Sequence, residues 1–263
     1  MDVITPRSLE EALRAKSEHP EARPLAGGTD LLVELNFDRG RPETILNLAE
    51  VAELKGWSRE NGTLRLGAGL TYTEAMRPEL AELLPALAEA SRTVGSPQIR
   101  NRGTLGGNLG TASPAGDALP PLLVYEAEVE VGSVRGTRTL PLESFLVGVK
   151  RNAPEPDELI LGVRVRSRNG GQTFMKVGPR NAMVIAVVSL AVRADRERGT
   201  LWAAFGSAAP VATLVSAPIE DAAGFPERVA EAASPIDDVR GTAAYRRHAL
   251  RVLTRRALDR ALA

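Results

Sequence analysis

Gly103-Thr104-Leu105-Gly106-Gly107-Asn108-Leu109-Gly110-Thr111-Ala112-Ser113-Pro114-Ala115-Gly116-Asp117 places five glycines, two threonines, a serine and a carboxylate within fifteen residues. Glycine lets the backbone take positive φ and lets a ligand lie against bare peptide N–H groups. Consecutive N–H groups of that kind form a concave nest for an anion, most often a phosphate. A smaller stretch of the same makeup, Leu25-Ala26-Gly27-Gly28-Thr29-Asp30-Leu31-Leu32, lies about eighty residues earlier. Two such loops suit one ligand with a long polyanionic middle, held from two sides, and a dinucleotide meets that description. Either loop taken alone also fits a tight surface connection. Neither stretch is G-x-G-x-x-G between a strand and a helix, and no Gly-Lys-Ser/Thr occurs, so Rossmann and P-loop modes are not indicated.

The chain of 263 residues is long enough for a large core divided into two or three lobes. Its 33 basic residues balance 33 acidic ones, so no net field points to nucleic acid or an anionic membrane. Cysteine is absent, which excludes disulfides, thiolate chemistry and any iron–sulfur cluster held by this chain. The two histidines, His19 and His248, stand in polar surroundings and read as surface residues. No signal peptide is legible at the N-terminus, and no apolar window reaches membrane-spanning length. A cytoplasmic location is therefore expected. The longest apolar run, Ala182 to Val192, has the length of a buried strand or short helix.

Three units follow from the pattern: 1–55, 56–168 and 169–263. In the first, Ser8 to Glu11 reads as a capping box opening a short helix. Pro24 to Ala26 reads as a strand entering the first glycine loop, and Leu31 to Leu35 as a helix whose N-terminus faces that loop. Thr44 to Leu48 completes a β-α-β pattern. In the second unit Thr63 to Gly69 alternates like a half-buried strand, Thr71 to Glu74 is another capping box, and Pro85 suits a helix's first turn. Beyond the long glycine loop, Leu122 to Val131 and Thr137 to Leu140 read as strands joined at Arg135-Gly136. Glu158 to Val165 alternates, with Leu159, Leu161, Val163 and Val165 facing one way. Asn169-Gly170-Gly171 marks a turn into the third unit, with strands from Gln172 to Val177, Met183 to Arg193 and Thr200 to Phe205. Pro210 to Pro226 reads as loop, followed by a short helix. Thr242 to Leu262 reads as an amphipathic helix with Tyr245, Ala249, Leu253 and Leu258 inward, and Arg246, Arg247, Arg251, Arg255, Arg256 and Arg260 on a solvated face.

Four segments in order give the chain a family likeness over nearly its whole length. They are Ala26-Gly27-Gly28-Thr29-Asp30, the run from Gly95 to Asn108, Ala112-Ser113-Pro114-Ala115-Gly116-Asp117, and Asp237-Asp238-Val239-Arg240-Gly241-Thr242-Ala243-Ala244-Tyr245-Arg246-Arg247. With them the chain resembles the FAD-binding medium subunit of the molybdenum hydroxylases, the group of xanthine dehydrogenase and carbon monoxide dehydrogenase. The resemblance implies an α+β fold: a two-lobed FAD-binding domain of the vanillyl-alcohol-oxidase type, covered by a C-terminal α+β domain like that of the carbon monoxide dehydrogenase flavoprotein. It implies that Leu25, Ala26, Gly27, Gly28, Thr29, Asp30 and Leu31 wrap the pyrophosphate of FAD. Thr104, Gly106, Gly107 and Asn108 continue the cradle, with Gly95 and Thr111 flanking it. Ser113 and Asp117 lie close by, Asp117 toward a ribose hydroxyl. Ile160 and Leu161 pack on a ring of the cofactor, and Lys176 reaches the flavin.

The implied function is electron transfer, with no catalytic or metal-binding residue on this chain. A large molybdopterin subunit oxidises the substrate, a small iron–sulfur subunit relays electrons, and FAD passes them to a soluble acceptor such as NAD, oxygen or a quinone, within a hetero-oligomer. Some relatives carry an inserted iron–sulfur cluster; a chain without cysteine departs from them. A self-contained flavin oxidase and a non-catalytic binding or assembly protein stand as the alternatives.

Overall fold

A computed structural model describes residues 1–38, 40–166, 170–181 and 183–263. In the first unit β1 (Asp2–Ile4), α1 (Leu9–Glu18), β2 (Arg23–Leu25), α2 (Leu31–Asn36) and β3 (Thr44–Asn47) follow in order, and the three strands form a parallel sheet with β3 central. Ser8 Oγ accepts from Glu11 N at 3.2 Å, capping α1. The reciprocal half of the expected box slips by one residue, because Glu11 accepts from Arg7 N instead of Ser8 N. Ala12, Leu46 and Leu54 fill the small core of this lobe.

The second unit begins with β4 (Trp57–Glu60) and β5 (Thr63–Gly67). Short helices follow: α3 (Tyr72–Ala75), α4 (Pro78–Ala81), α5 (Pro85–Arg92), α6 (Pro97–Arg102), α7 (Leu105–Thr111) and α8 (Leu119–Val124). Then come β6 (Glu128–Ser133), β7 (Gly136–Pro141), α9 (Leu142–Phe145), the hairpin β8 (Leu146–Gly148) and β9 (Arg151–Asn152), and β10 (Leu159–Arg166). The main sheet is antiparallel in the order β4-β5-β10-β6-β7. Both halves of the Thr71 capping box form: Thr71 Oγ1 accepts from Glu74 N, and Glu74 Oε2 accepts from Thr71 N at 2.8 Å. Pro85 occupies the first turn of α5 as its missing N–H allows. A bulge between Ile160 and Gly162 divides the work of β10. Leu159 and Leu161 complete the core of the first unit, while Val163 and Val165 enter that of the second. One strand thus joins the two lobes.

In the third unit β11 (Gly171–Val177), β12 (Val188–Asp195), β13 (Thr200–Gly206) and β14 (Thr213–Pro218) form an antiparallel meander. Helices α10 (Phe225–Glu231) and α11 (Ala243–Leu262) follow. Every residue of β12 is buried, because both faces of the sheet are covered. Leu190 and Val192 pack with Leu250 and Leu253 of α11, whereas Phe174, Ala191 and Ala204 join the core of the second unit. Glu89 of α5 bridges the units, accepting from Thr173 Oγ1 at 2.9 Å and Phe174 N at 2.6 Å.

Several sequence expectations are corrected here. The apolar run Leu122 to Val131 is not one strand: its first part belongs to α8, six residues that are all buried, and only its second part is β6. Periodicity cannot separate a fully buried helix from a buried strand, and Pro120 and Pro121 suit a first helical turn. The middle of the long glycine stretch, Leu105–Thr111, is a helix, α7, rather than a loop. The strand expected from Met183 starts at Val188, Met183 itself having φ +38. An unforeseen edge strand, β14, lies within Pro210 to Pro226, and β1 and β4 occupy earlier segments given no strand. Asn169 of the expected turn lies outside the described residues; Gly170 there has φ +114. In α11 Ala249, Leu253 and Leu258 are buried as expected, but Tyr245 is half exposed and Arg246 is 1% exposed. The arginine placed on the solvated face is one of the largest buried side chains in the molecule.

Candidate functional site: a cleft between the glycine stretches

The turn from β2 into α2 carries Ala26 to Asp30. Gly28 has φ +74, which L side chains rarely adopt. Gly27 lies against α6, where a Cβ would land inside the Arg102 carbonyl, so the two glycine stretches meet backbone to backbone. Among the described residues, no N–H of residues 26–30 donates a hydrogen bond within the chain. Buried or half-buried N–H groups left unpaired are costly unless a ligand or water satisfies them. Residues 26–30 line a cleft of about 1240 Å³ between the first two units, together with α7, the β8–β9 hairpin and the start of β10.

The N-terminus of α7 differs from the sequence expectation. Leu105 N donates to Leu70 O at 3.0 Å, Gly106 N to Ala68 O at 2.8 Å and Gly107 N to Thr104 Oγ1 at 3.0 Å. Those three donors are spent, so α7 offers no anion nest of its own. Its glycines serve contact: a Cβ on Gly106 would come within 2.7 Å of Ala68 O, while one on Gly107 would meet only Thr104 Oγ1, at 3.2 Å. Neither residue has positive φ. Asn152, which the sequence gave no reason to single out, donates to Leu109 O and Gly110 O at 3.3 and 2.9 Å and holds the far end of α7.

Most of the sequence-derived residues reach the cleft. Leu25, Ala26, Gly27, Gly28, Thr29, Asp30 and Leu31 all line it. Thr104, Gly106, Gly107 and Asn108 form the opposite wall with Thr111, Ser113 and Ile160. Leu161 does not: it is 4% exposed and sits in the core of the first unit, since neighbouring residues of a strand point to opposite faces. Gly95 (φ +45) and Asp117 border a side pocket of about 260 Å³ with Asn108 and Met183 to Ile185. Lys176 lines neither space. Its Nζ donates to Asp117 Oδ2 at 2.5 Å and to Thr93 O at 3.3 Å, and both charged side chains are buried. Burial pushes the Asp117 carboxyl up to about 6, even though Lys176 pulls it the other way. Among the described residues, Asp117 Oδ1 and Asn108 Oδ1 are buried without a hydrogen-bond partner, and both belong to residues lining the side pocket. Tyr72, also unforeseen, lines both spaces, and burial raises its phenol well above the usual range.

Amides with no acceptor among the described residues, two orphaned acceptors and a cleft between lobes suit the binding of a dinucleotide. Residues 1–166 match the family described as the FAD binding domain in molybdopterin dehydrogenase, and the chain belongs to that family. The xanthine dehydrogenase FAD-binding subunit of Escherichia coli O157:H7 is 30% identical, the match covering 97% of this chain and 94% of that one. The nicotinate dehydrogenase FAD-subunit of Eubacterium barkeri is 35% identical over 77% of this chain and 72% of its own. Among solved structures, carbon monoxide dehydrogenase from Hydrogenophaga pseudoflava superposes with a TM-score of 0.91 at 26% identity, covering 100% of this chain and 97% of that one. Family and fold together make this an oxidoreductase component with FAD as its cofactor. Among the described residues no helix is long and apolar enough to cross a membrane.

Proposed function

We propose that this chain is the FAD-carrying electron-transfer subunit of a cytoplasmic molybdenum hydroxylase complex. Segments 1–55 and 56–168 hold the cofactor and 169–263 covers it. A small iron–sulfur subunit delivers electrons that a large molybdopterin subunit takes from substrate, and they leave to NAD, oxygen or a quinone. The observation that carries the reading is that residues 26–30 line the cleft while, among the described residues, none of their N–H groups donates within the chain.

FAD when bound supplies the redox chemistry; the protein supplies position, field and access. The amides of 26–30 hold the pyrophosphate, and Gly27 keeps that turn flat on α6. Gly107, Asn108 and Ile160 close the opposite side. Asp117 keeps one oxygen for a ligand donor while Lys176 balances its charge. Lys176 therefore acts on the site through Asp117.

The test is to purify the chain alone, load it with FAD and supply purines, N-heterocycles, aldehydes and carbon monoxide. One FAD per chain and no substrate turnover are expected, with substrate-dependent bleaching of the flavin once the two partner subunits are added. Turnover by the isolated chain would instead make it a self-contained oxidase.

A further inference from the structure

We propose that Arg246 is a positioning residue for the side pocket, clamping both of its walls from behind while Asp238 holds the guanidinium in place. One wall is Met183 to Ile185, from the third unit; the other is Ala115 to Asp117, from the second. The first wall runs directly into Val187, whose carbonyl accepts from Arg246 Nη1 at 2.7 Å. Behind the second wall stands Ser207, whose carbonyl accepts from the same nitrogen at 2.5 Å. Ser207, at φ +61, also donates its N–H to Pro114 O at 2.7 Å, and Pro114 immediately precedes Ala115. One buried nitrogen thus ties together the backbone anchors of two segments from different units.

The clamp is itself held from outside. Arg246 Nη2 donates to Asp238 Oδ1 at 2.6 Å. Arg240 donates to Asp238 three times, from its N, Nε and Nη2, at 2.8, 3.0 and 2.7 Å. Arg240 and then Arg246 hold the Asp238 carboxyl well below the usual carboxylate range, so it stays ionised. Gly241 brings this loop against the anchor, where a Cβ would come within 3.1 Å of Val187 Cγ1. None of Asp238, Arg240 or Arg246 lines the cleft or the side pocket. Their action on a ligand runs through Val187 and Ser207. A planar guanidinium can serve two carbonyls and a carboxylate at once, whereas an ammonium cannot match that fork.

The experiment compares Asp238→Asn, Arg246→Lys and Arg246→Met with the wild type in the FAD-loaded chain. Hydrogen exchange is followed by segment, together with the visible circular dichroism of the flavin. Expected are at least tenfold faster exchange in 183–187 and 115–117, unchanged exchange in 26–31, and an altered flavin dichroism. Arg246→Lys should fall nearer to Arg246→Met than to wild type. If Arg246→Met fails to fold, Asp238→Asn decides alone. Global destabilisation with wild-type exchange in those two segments and an unaltered flavin band would overturn the proposal. The reading rests on FAD in the cleft but on no electron partner. A wild-type chain that takes up no FAD would overturn the cofactor assignment, while the same exchange comparison, repeated on the FAD-free chains, would still judge the clamp.

Discussion

At the scale of single residues, the buried pair Asp117 and Lys176 makes a pH-dependent claim. The Asp117 carboxyl moves from an ordinary 3.8 up to about 6 because burial disfavours its charge more than Lys176 favours it. Between those values the folded chain binds a proton that the unfolded chain releases. Stability attributable to this group is therefore full below the unfolded value and declines as pH rises through about 6, by up to about 3 kcal/mol. Asp117→Asn should flatten that decline whatever its absolute stability, which urea unfolding at intervals from pH 4 to 7 will measure; the same slope in both chains would refute the assignment. Sequence placed Asp117 and Lys176 together near the ligand but could not show that they face each other across 59 positions. Arg246 was misread for a related reason: among six arginines on one helix, helical spacing gives no sign of which meets Val187 and Ser207.

At the scale of elements, α7 shows where composition misleads. Four of the long stretch's five glycines lie at or just before this helix, and glycine has poor helix propensity. Tertiary contacts decide instead: Thr104 caps the start, Leu105 and Leu109 are fully buried, and Gly106 admits Ala68. Gly106→Ala should then cost about 1–3 kcal/mol in urea unfolding, as overpacking does. Gly107→Ala should change stability by less than about 1 kcal/mol, since its Cβ meets only the Thr104 hydroxyl. Equal effects would mean that propensity, rather than the contact with Ala68, governs the helix. Strands with alternating pattern, such as β5 and β10, were legible because one-sided burial writes itself into sequence. α8 was not, since a helix covered on every side carries no such stripe.

At the scale of the whole molecule, two glycine stretches of the same makeup pointed to one ligand held from two sides, and both line the cleft. What sequence could not apportion was which stretch keeps its amides for the ligand. Hydrogen bonding spends those of Leu105 to Gly107 inside the protein and, among the described residues, gives those of Ala26 to Asp30 no acceptor. That division is the central claim, and amide ¹H–¹⁵N shifts during FAD titration read it directly. Large downfield shifts at 26–30, with those of 105–107 nearly still, are expected. Shifts concentrated at 105–107, with 26–30 unmoved, would contradict it.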